Sequence, residues 1–359
     1  MKLSTRSFPT PVAATEAPLS INTGALPEWA RAHGAPLFAA TIRDRPSDFQ
    51  VVENLGFEFS GSGEHDYLWV EKTAANTDWV ARQLARHAGV RPADVGYAGM
   101  KDRHAVTRQW FSVPGHGAAD WASFAADGAV ILGIHRHQRK LRRGAHKSNA
   151  FRIALRTPDA GGMRQTVDER LASIAARGLP NYFGPQRFGR DGANLDLARR
   201  LFAGARLKRD KRSIAISAAR SFLFNQILSA RVADGSWERI LPGEVVNLDG
   251  SGSVFRADAV DESLERRVAD MDIHPTATLW GLRSEISPGV IESLERRVAE
   301  AHSDLSVGLE QLGVKAAHRP LRLRVSDLSW DVEDDALWLD FTLPAGGFAT
   351  AVLREIART

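Results

Sequence analysis

Alternating apolar and polar positions predict short β-strands in the first and last parts of the chain. The clearest runs span residues 48–53, 67–71, 106–113, 128–134, 149–155 and 337–343. Side chains two residues apart in a strand point to the same face. Phe151, Ile153 and Leu155 therefore share one face of the 149–155 strand, and Asn149 lies on that face with them.

Helical periodicity dominates the middle of the chain. The pattern predicts helices at 77–88, 167–176, 195–202, 218–232 and 349–356, with Gly89 and Gly178 ending the first two. The octapeptide Glu-Ser-Leu-Glu-Arg-Arg-Val-Ala occurs at 262–269 and again at 292–299, as two short amphipathic helices. The absence of a third copy argues against a solenoid.

These patterns of strands and helices predict one sheet-rich domain interrupted by a helical insert. Short strands before and after the insert need each other to complete a sheet. We expect a flexible N-terminal arm at 1–35, a catalytic domain formed by 36–179 and 319–359, and an inserted domain at 180–318.

Composition narrows the class of protein. The chain has 359 residues, 43% of them hydrophobic and 25% charged, and it contains no cysteine. This excludes a disordered chain, a disulfide scaffold and cysteine chemistry. The sequence has no apolar run long enough to cross a bilayer, and Pro9 and Pro11 interrupt the start without an apolar signal segment after them. We expect no membrane association and a cytoplasmic location.

Basic residues are unevenly distributed, although the net charge is only +4. Residues 130–158 contain no acid, and the basic patch in this window comprises Arg136, Arg139, Lys140, Arg142, Arg143 and Lys147. A second cluster comprises Arg206, Lys208, Arg209, Lys211 and Arg212. Such patches are typical of proteins that neutralise phosphates. The composition alone also allows a solvated basic loop.

The motifs of cofactor chemistry are missing from the sequence. It has no phosphate-binding loop, no dinucleotide fingerprint and no nucleophile elbow. His135, His137 and His146 lie among cations without a carboxylate, which makes a poor metal site. We therefore expect neither a metal nor a nucleotide cofactor.

One carboxylate remains a candidate for catalysis. Asp102 lies between Lys101 and Arg103, after a glycine turn and before a predicted strand. In an extended segment both cations would point away from it, so an ion-pair partner would have to come from elsewhere. Nearby cations keep a carboxylate ionised, as a nucleophile or base requires. From the residues alone, an ordinary turn aspartate is the better-supported interpretation.

The run Gly-Tyr-Ala-Gly-Met-Lys-Asp-Arg-His-Ala-Val-Thr-Arg-Gln-Trp at 96–110 resembles the signature of the TruD family of tRNA pseudouridine synthases. Five further segments match in order. They are 48–53, 139–142 with 149–151, 181–189, 224–227, and 347–350 with 353–355. The resemblance extends from about residue 36 to the end of the chain.

The resemblance implies an α+β fold. A pseudouridine-synthase domain with a mixed, mainly antiparallel sheet flanked by helices would carry an inserted α/β TRUD domain. It also implies an isomerase that converts uridine to pseudouridine in tRNA, characteristically at position 13, without cofactor or metal. The cleft between the domains would bind tRNA, with the basic patches as its walls, and we expect a monomer.

The match assigns roles to individual residues. Asp102 would be the catalytic carboxylate, acting on a flipped nucleotide. Phe49, Phe151 and Phe348 would line the uridine pocket, Asn149 would hydrogen-bond the base, and Arg43 is a candidate ion-pair partner of Asp102. The alternative is a noncatalytic RNA-binding protein or RNA chaperone that uses the same basic cleft.

Overall fold

The computed structural model describes residues 26–115, 119–158, 160–282, 289–333 and 335–359. Residues 1–25 of the arm predicted at 1–35 lie outside these residues. The strands are β1 (Phe38–Ala39), β2 (Phe49–Asn54), β3 (His65–Thr73), β4 (Gly96–Tyr97), β5 (Val106–Pro114), β6 (Ala129–His137), β7 (Ser148–Arg156), β8 (Leu179–Pro180), β9 (Glu244–Leu248), β10 (Val254–Ala257), β11 (Ile273–Leu279), β12 (Ala317–Pro320), β13 (Arg322–Leu323), β14 (Ser326–Val332), β15 (Ala336–Pro344) and β16 (Ala357–Arg358).

The helices that the periodicity predicts are present, and several extend beyond their predicted ends. The last one ends at residue 354 instead of 356, and the helix at 303–311 was not predicted. The helices are α1 (Thr77–Ala88), α2 (Arg164–Arg177), α3 (Ala193–Phe202), α4 (Arg209–Ala233), α5 (Glu262–Ala269), α6 (Val290–Ala301), α7 (Ser303–Gln311) and α8 (Ala349–Arg354). Single 3-10 turns occur at Pro46–Asp48, Pro92–Asp94, Trp121–Ser123, Gly161–Met163, Pro185–Phe188 and Arg190–Gly192. Gly89 ends α1 in the left-handed conformation, with a φ of 67°, as glycine readily does.

An eight-stranded sheet dominates the first and last parts of the chain. Seven strands run in the order β14-β15-β7-β2-β5-β3-β6, and β4 pairs with β5. Neighbours are antiparallel except β2 and β5, which are parallel. The strands before residue 157 and after residue 325 complete one another, as the sequence predicts. The predicted α+β fold with a mixed, mainly antiparallel sheet is confirmed.

Two apolar clusters cover this sheet. One joins β2, β7 and β15 to α2 and α8, with Ile153, Leu171 and Val352 fully buried. The other packs Val80 and Leu84 of α1 against Leu68, Val70 and Phe111. Complete burial of such side chains contributes about 1.5–3 kcal/mol each.

The middle of the chain builds a second, antiparallel sheet of four strands in the order β10-β9-β11-β12. Helices α3, α4, α6 and α7 contribute to the apolar cluster around Leu223, Phe224 and Leu305. Strand β8 pairs antiparallel with β13, so the chain enters and leaves this part side by side. The domain boundaries at residues 180 and 318 stay a prediction, and this strand pair lies close to both.

Residues 26–35 differ from the flexible arm predicted for 1–35. Trp29 packs its ring against Tyr182 and Phe222, with centroids 6.2 and 5.7 Å apart. The main-chain nitrogens of Ala32 and His33 donate to the carboxylate of Glu355 at 3.0 and 3.1 Å. A large aromatic anchor and a buried carboxylate hold the segment, and the proline-based prediction did not consider either of them.

No helix within the described ranges combines the length and the apolar character needed to span a bilayer.

Candidate active site

The turn that carries Asp102 lies between β4 and β5. Lys72 Nζ donates to the main-chain oxygen of Asp102 at 2.7 Å, and Thr77 Oγ1 accepts the main-chain N–H of Lys101 at 3.0 Å. Gln109 Nε2 donates to the Gly99 oxygen at 3.2 Å. Three buried side chains from β3, α1 and β5 therefore position the backbone of this turn.

Asp102 has an ion-pair partner from a distant part of the chain. Arg43 Nη2 lies 2.6 Å from Asp102 Oδ2, and the two side chains are 23% and 21% exposed. The other oxygen, Oδ1, accepts the main-chain N–H of His104 at 2.9 Å. The carboxylate is thus held in position but still accessible to solvent, which suits a group that must meet a substrate.

Arg43 is itself constrained. Its φ of 60° lies in the left-handed region, which is uncommon for residues other than glycine. The guanidinium carbon lies 4.4 Å from the ring centroid of Phe49. Such backbone strain costs about 1–3 kcal/mol and concentrates at functional sites. The surroundings fix both ends of this side chain.

Lys101 points away from Asp102, as the extended-chain argument predicts. Its Nζ lies 2.6 Å from Glu53 Oε2, and the two side chains are 6% and 0% exposed. Glu53 Oε1 accepts the main-chain N–H of Trp110 at 3.1 Å. Both oxygens of this buried carboxylate therefore have partners, as burial of a charge requires.

Two of the predicted pocket aromatics lie together beside Arg43. The rings of Phe49 and Phe151 make an edge contact with centroids 6.3 Å apart, and Phe151 stacks on Phe341 at 5.2 Å. Phe49 is only 4% exposed, whereas Phe151 is half-buried. Of the two rings, Phe151 therefore offers the larger accessible face.

Asn149 is buried with an unsatisfied acceptor. It stands opposite Glu53 on β2 and Leu343 on β15, two residues from Phe151 on β7. Its side chain is 9% exposed, and Oδ1 has no hydrogen-bond partner. A buried unpaired polar atom costs about 1–3 kcal/mol, so an acceptor held in this state is suited to a ligand's N–H group.

Phe348 belongs to a different aromatic group. Its ring lies 5.9 Å from that of Phe183, and the guanidinium carbon of Arg187 lies 5.9 Å from its centroid. Together with Gln186 and Asn194 it lines a cavity of about 350 Å³. Phe348 is not among the recorded ring contacts of Phe49 and Phe151.

All cations of the predicted basic patch except Arg136 are exposed. Two of the exposed cations also contact other residues of the chain. Lys140 Nζ donates to the Ala93 oxygen at 2.6 Å, and Arg143 lies over the ring of Tyr97 at 3.8 Å.

Arg136 departs from the prediction, because its Nη1 lies 2.7 Å from the buried carboxylate of Asp66. Asp66 is its cross-strand partner in the β3–β6 pair, so a search for acids near in sequence misses it.

Sequence reasoning missed Lys72, although its pattern carried a signal. On β3 the even positions Asp66, Leu68, Val70 and Lys72 all face inward. A lysine on the buried face of a strand needs a specific partner. Burial lowers the pKa of Lys72 to about 8, despite the opposing effect of the Asp102 charge.

The arrangement offers a carboxylate on a fixed turn, a stacking ring and a buried amide. Groups of these three kinds can bind and act on a flat polar ring attached to a sugar. No group of three or more histidine, aspartate or glutamate side chains suited to a metal ion occurs within the described part of the chain.

Comparison with known proteins identifies the family. The family model described as tRNA pseudouridine synthase D (TruD) matches residues 32–204 and 200–356. The chain belongs to the TruD family of tRNA pseudouridine synthases.

Two relatives illustrate the similarity, and both are described as tRNA pseudouridine synthase D. The protein of Methylococcus capsulatus is 49% identical over 331 residues, which cover 91% of this chain and 93% of the relative. That of Nitrosococcus oceani is also 49% identical over 331 residues, with 90% and 92% covered.

A crystal structure from Methanosarcina mazei, assigned provisionally to tRNA pseudouridine synthase D, superposes with a TM-score of 0.72 at 18% identity. It covers 92% of this chain and 96% of its own. At this identity the likeness establishes the fold.

Proposed function

We propose that the protein isomerises uridine to pseudouridine in tRNA, at position 13, and that Asp102 is the catalytic carboxylate. Membership of the TruD family supports the reaction and the substrate class. The observation that carries the assignment of the residue is the ion pair of Asp102 with Arg43, on a turn held by three buried side chains. A carboxylate so placed has a cation beside it while part of its surface is exposed.

The reaction balances without a cofactor. The N1–C1′ bond breaks, the ring turns, and a C5–C1′ bond forms, while C5 loses a proton and N1 gains one. An aspartate can start this by attacking C1′, by attacking the base or by removing the C2′ proton. All three routes need an ionised carboxylate in contact with an extruded nucleotide.

The other site residues would hold that nucleotide. Phe151, supported by Phe49 and Phe341, supplies a stacking face, and Asn149 Oδ1 accepts a hydrogen bond from the base. Phe348 is assigned to the pocket by the family resemblance. The exposed cations Arg139, Arg142 and Lys147 contact the tRNA backbone, whereas Arg136 stabilises the sheet through Asp66.

We infer that the protein is a cytoplasmic monomer. We also infer that it uses neither a metal nor a nucleotide cofactor, because the isomerisation consumes no second substrate.

Carbodiimide labelling of tRNA tests the proposal, because it marks pseudouridine although the isomerisation leaves the mass unchanged. The wild-type chain should generate one labelled position and Asp102→Asn none. The exposed Asp44→Asn serves as a matched control that should retain activity. Equal activity of Asp102→Asn and wild type would refute the assignment of Asp102.

Two other outcomes would point to different functions. Tight tRNA binding by the wild type without any labelling would favour the noncatalytic RNA-binding alternative. Free uracil in the reaction would show a hydrolase that cleaves the glycosidic bond outright.

A further inference from the structure

Two arginine side chains share the aromatic ring of Phe183. The guanidinium carbon of Arg319 lies 4.1 Å from the ring centroid, and that of Arg187 lies 5.3 Å from it. Arg187 comes from the 3-10 turn after β8, and Arg319 comes from β12, so the beginning of the predicted insert and the segment just after its end meet here. Like charges placed this close repel one another.

Neither arginine has an acidic partner among the ion pairs of the described residues. Arg319 Nη2 donates to Asn181 Oδ1 and to the Gly346 oxygen, at 2.5 and 3.2 Å. Its Nε is buried without a hydrogen-bond partner. Arg187 Nη1 donates to Ser217 Oγ at 2.9 Å. Burial, reinforced by the charge of Arg187, lowers the pKa of Arg319 to about 9.

Arg231, another buried arginine, has an ionic partner: it pairs with Glu244 at 2.9 Å, both side chains being almost fully buried. Arg220 is held by hydrogen bonds to the main-chain oxygens of Leu279, Trp280 and Lys315. Arg319 likewise donates to three oxygens, the third being the main-chain oxygen of Asn181 at 3.4 Å. A buried charge without an acidic partner is costly, and at Arg187 and Arg319 two such charges face one ring, so an anion would stabilise the arrangement.

The two arginines line different cavities. Arg187 lines the one that Gln186, Asn194 and Phe348 also line. Arg319 lines a cavity of about 350 Å³, whose wall also contains Lys147, Arg322 and Arg324. Asp249 is an acid in the same wall, and it is already engaged by His274 Nε2 at 2.9 Å and Arg324 Nη1 at 3.6 Å. An anion entering this cavity would meet cations and few competing carboxylates.

The cavity adjoins the proposed nucleotide site at two points. Lys147, in its wall, is two residues from Asn149. On the other side, Gly347 in its wall directly precedes Phe348, which the family resemblance assigns to the uridine pocket.

We infer that Arg187 and Arg319, mounted on Phe183, form an anion site that binds a phosphodiester group of the RNA strand beside the target nucleotide. Guanidinium forks match phosphate oxygens, and backbone contacts of this kind position a strand without reading its sequence. The location of this site rests on the proposed function. Its chemistry rests on two guanidinium groups that have no acidic partner among the described ion pairs.

The test measures tRNA binding as a function of salt in the Asp102→Asn background, so that turnover does not interfere. Each phosphate contact contributes a slope of about 0.7–0.9 in log K against log[salt]. Arg187→Gln and Arg319→Gln should each lower the slope by about this amount and weaken binding at least fivefold. Arg319→Lys, which keeps the charge, should keep the slope. Arg220→Gln is the matched control and should leave the slope unchanged.

Melting curves identify variants that fail to fold. If Arg319→Gln fails to fold, the slope measured for Arg187→Gln is sufficient to test the inference. Folded Gln variants with the parental slope would overturn the inference, as would equal flattening by Arg220→Gln. If the wild type makes no pseudouridine but the Gln variants still flatten the slope, the proposed function fails while the anion site stands.

Discussion

Lys72 Nζ donates a hydrogen bond to the main-chain oxygen of Asp102 at 2.7 Å, from a side chain with no solvent exposure. The lysine therefore contacts the backbone of the aspartate, while Arg43 contacts its carboxylate. One cation fixes where the turn lies, and the other fixes how the side chain points. Lys72 is in this sense a positioning residue.

Replacement of Lys72 by Met should separate chemistry from binding. A hydrogen bond from a charged donor contributes about 1.5–3 kcal/mol. If the turn shifts when that bond is lost, we expect kcat to fall roughly 10- to 100-fold. KM for tRNA should stay within about twofold, because the basic patch is untouched. Single-turnover and steady-state labelling assays measure both constants, and a change in KM alone would contradict the positioning role.

Lys72 should also make stability depend on pH. Its folded pKa of about 8 lies below the ordinary value of 10.5, so the unfolded chain binds more protons between these values. The free energy of unfolding contributed by this group therefore rises as the pH increases from about 8 to 10.5. The gain is roughly 2–3 kcal/mol. Urea titrations at pH 7.5 and 10 should show this gain in the wild type relative to Lys72→Met, and parallel changes would contradict it.

Asn149→Leu should trade activity for stability. The unpaired Oδ1 in the free protein is a cost that an apolar side chain of similar size removes. We expect the unfolding free energy to stay the same or rise by about 1 kcal/mol. Pseudouridine formation should fall more than 100-fold. Chemical denaturation and carbodiimide labelling of the same preparation check both expectations, and undiminished activity would remove Asn149 from the site.

The buried pair of Lys101 and Glu53 should be strongly coupled. Lys101→Met leaves the carboxylate of Glu53 buried without its cation, which costs about 3–5 kcal/mol. The double variant with Glu53→Gln should regain much of this loss, because the amide carries no charge. A thermodynamic cycle of four unfolding measurements gives the coupling energy. Additive single effects would show that the two groups do not interact.

Local pattern predicted most elements of the fold. The alternation in 149–155 and 337–343 identified strands β7 and β15, which pair along their whole length. Gly89 and Gly178 end their helices as predicted. Thr77, the first residue of α1, forms side-chain hydrogen bonds with Lys101 and Gln109 in the site. Its hydroxyl forms contacts that depend on residues distant in sequence.

The site needed information that periodicity does not contain. The residues alone made Asp102 a candidate, whereas its catalytic role and its candidate partner Arg43 came from the resemblance to a family. Arg43 lies 59 positions before Asp102 in the sequence, and its own backbone is left-handed where it reaches the acid. The same limit explains Arg136, whose charge is neutralised across a strand pair. Contacts set by sheet register cannot be obtained from neighbours in sequence.

Strands β8 and β13 bind each other where the chain leaves the large sheet and where it returns. The segment between Pro180 and Arg322 is therefore a closed loop whose two ends are paired. Adding residues to such a loop raises the entropy cost of closing it only slightly. The middle of the chain can thus be lengthened, trimmed or replaced in evolution or by engineering, with the register of the strands around Asp102 left intact.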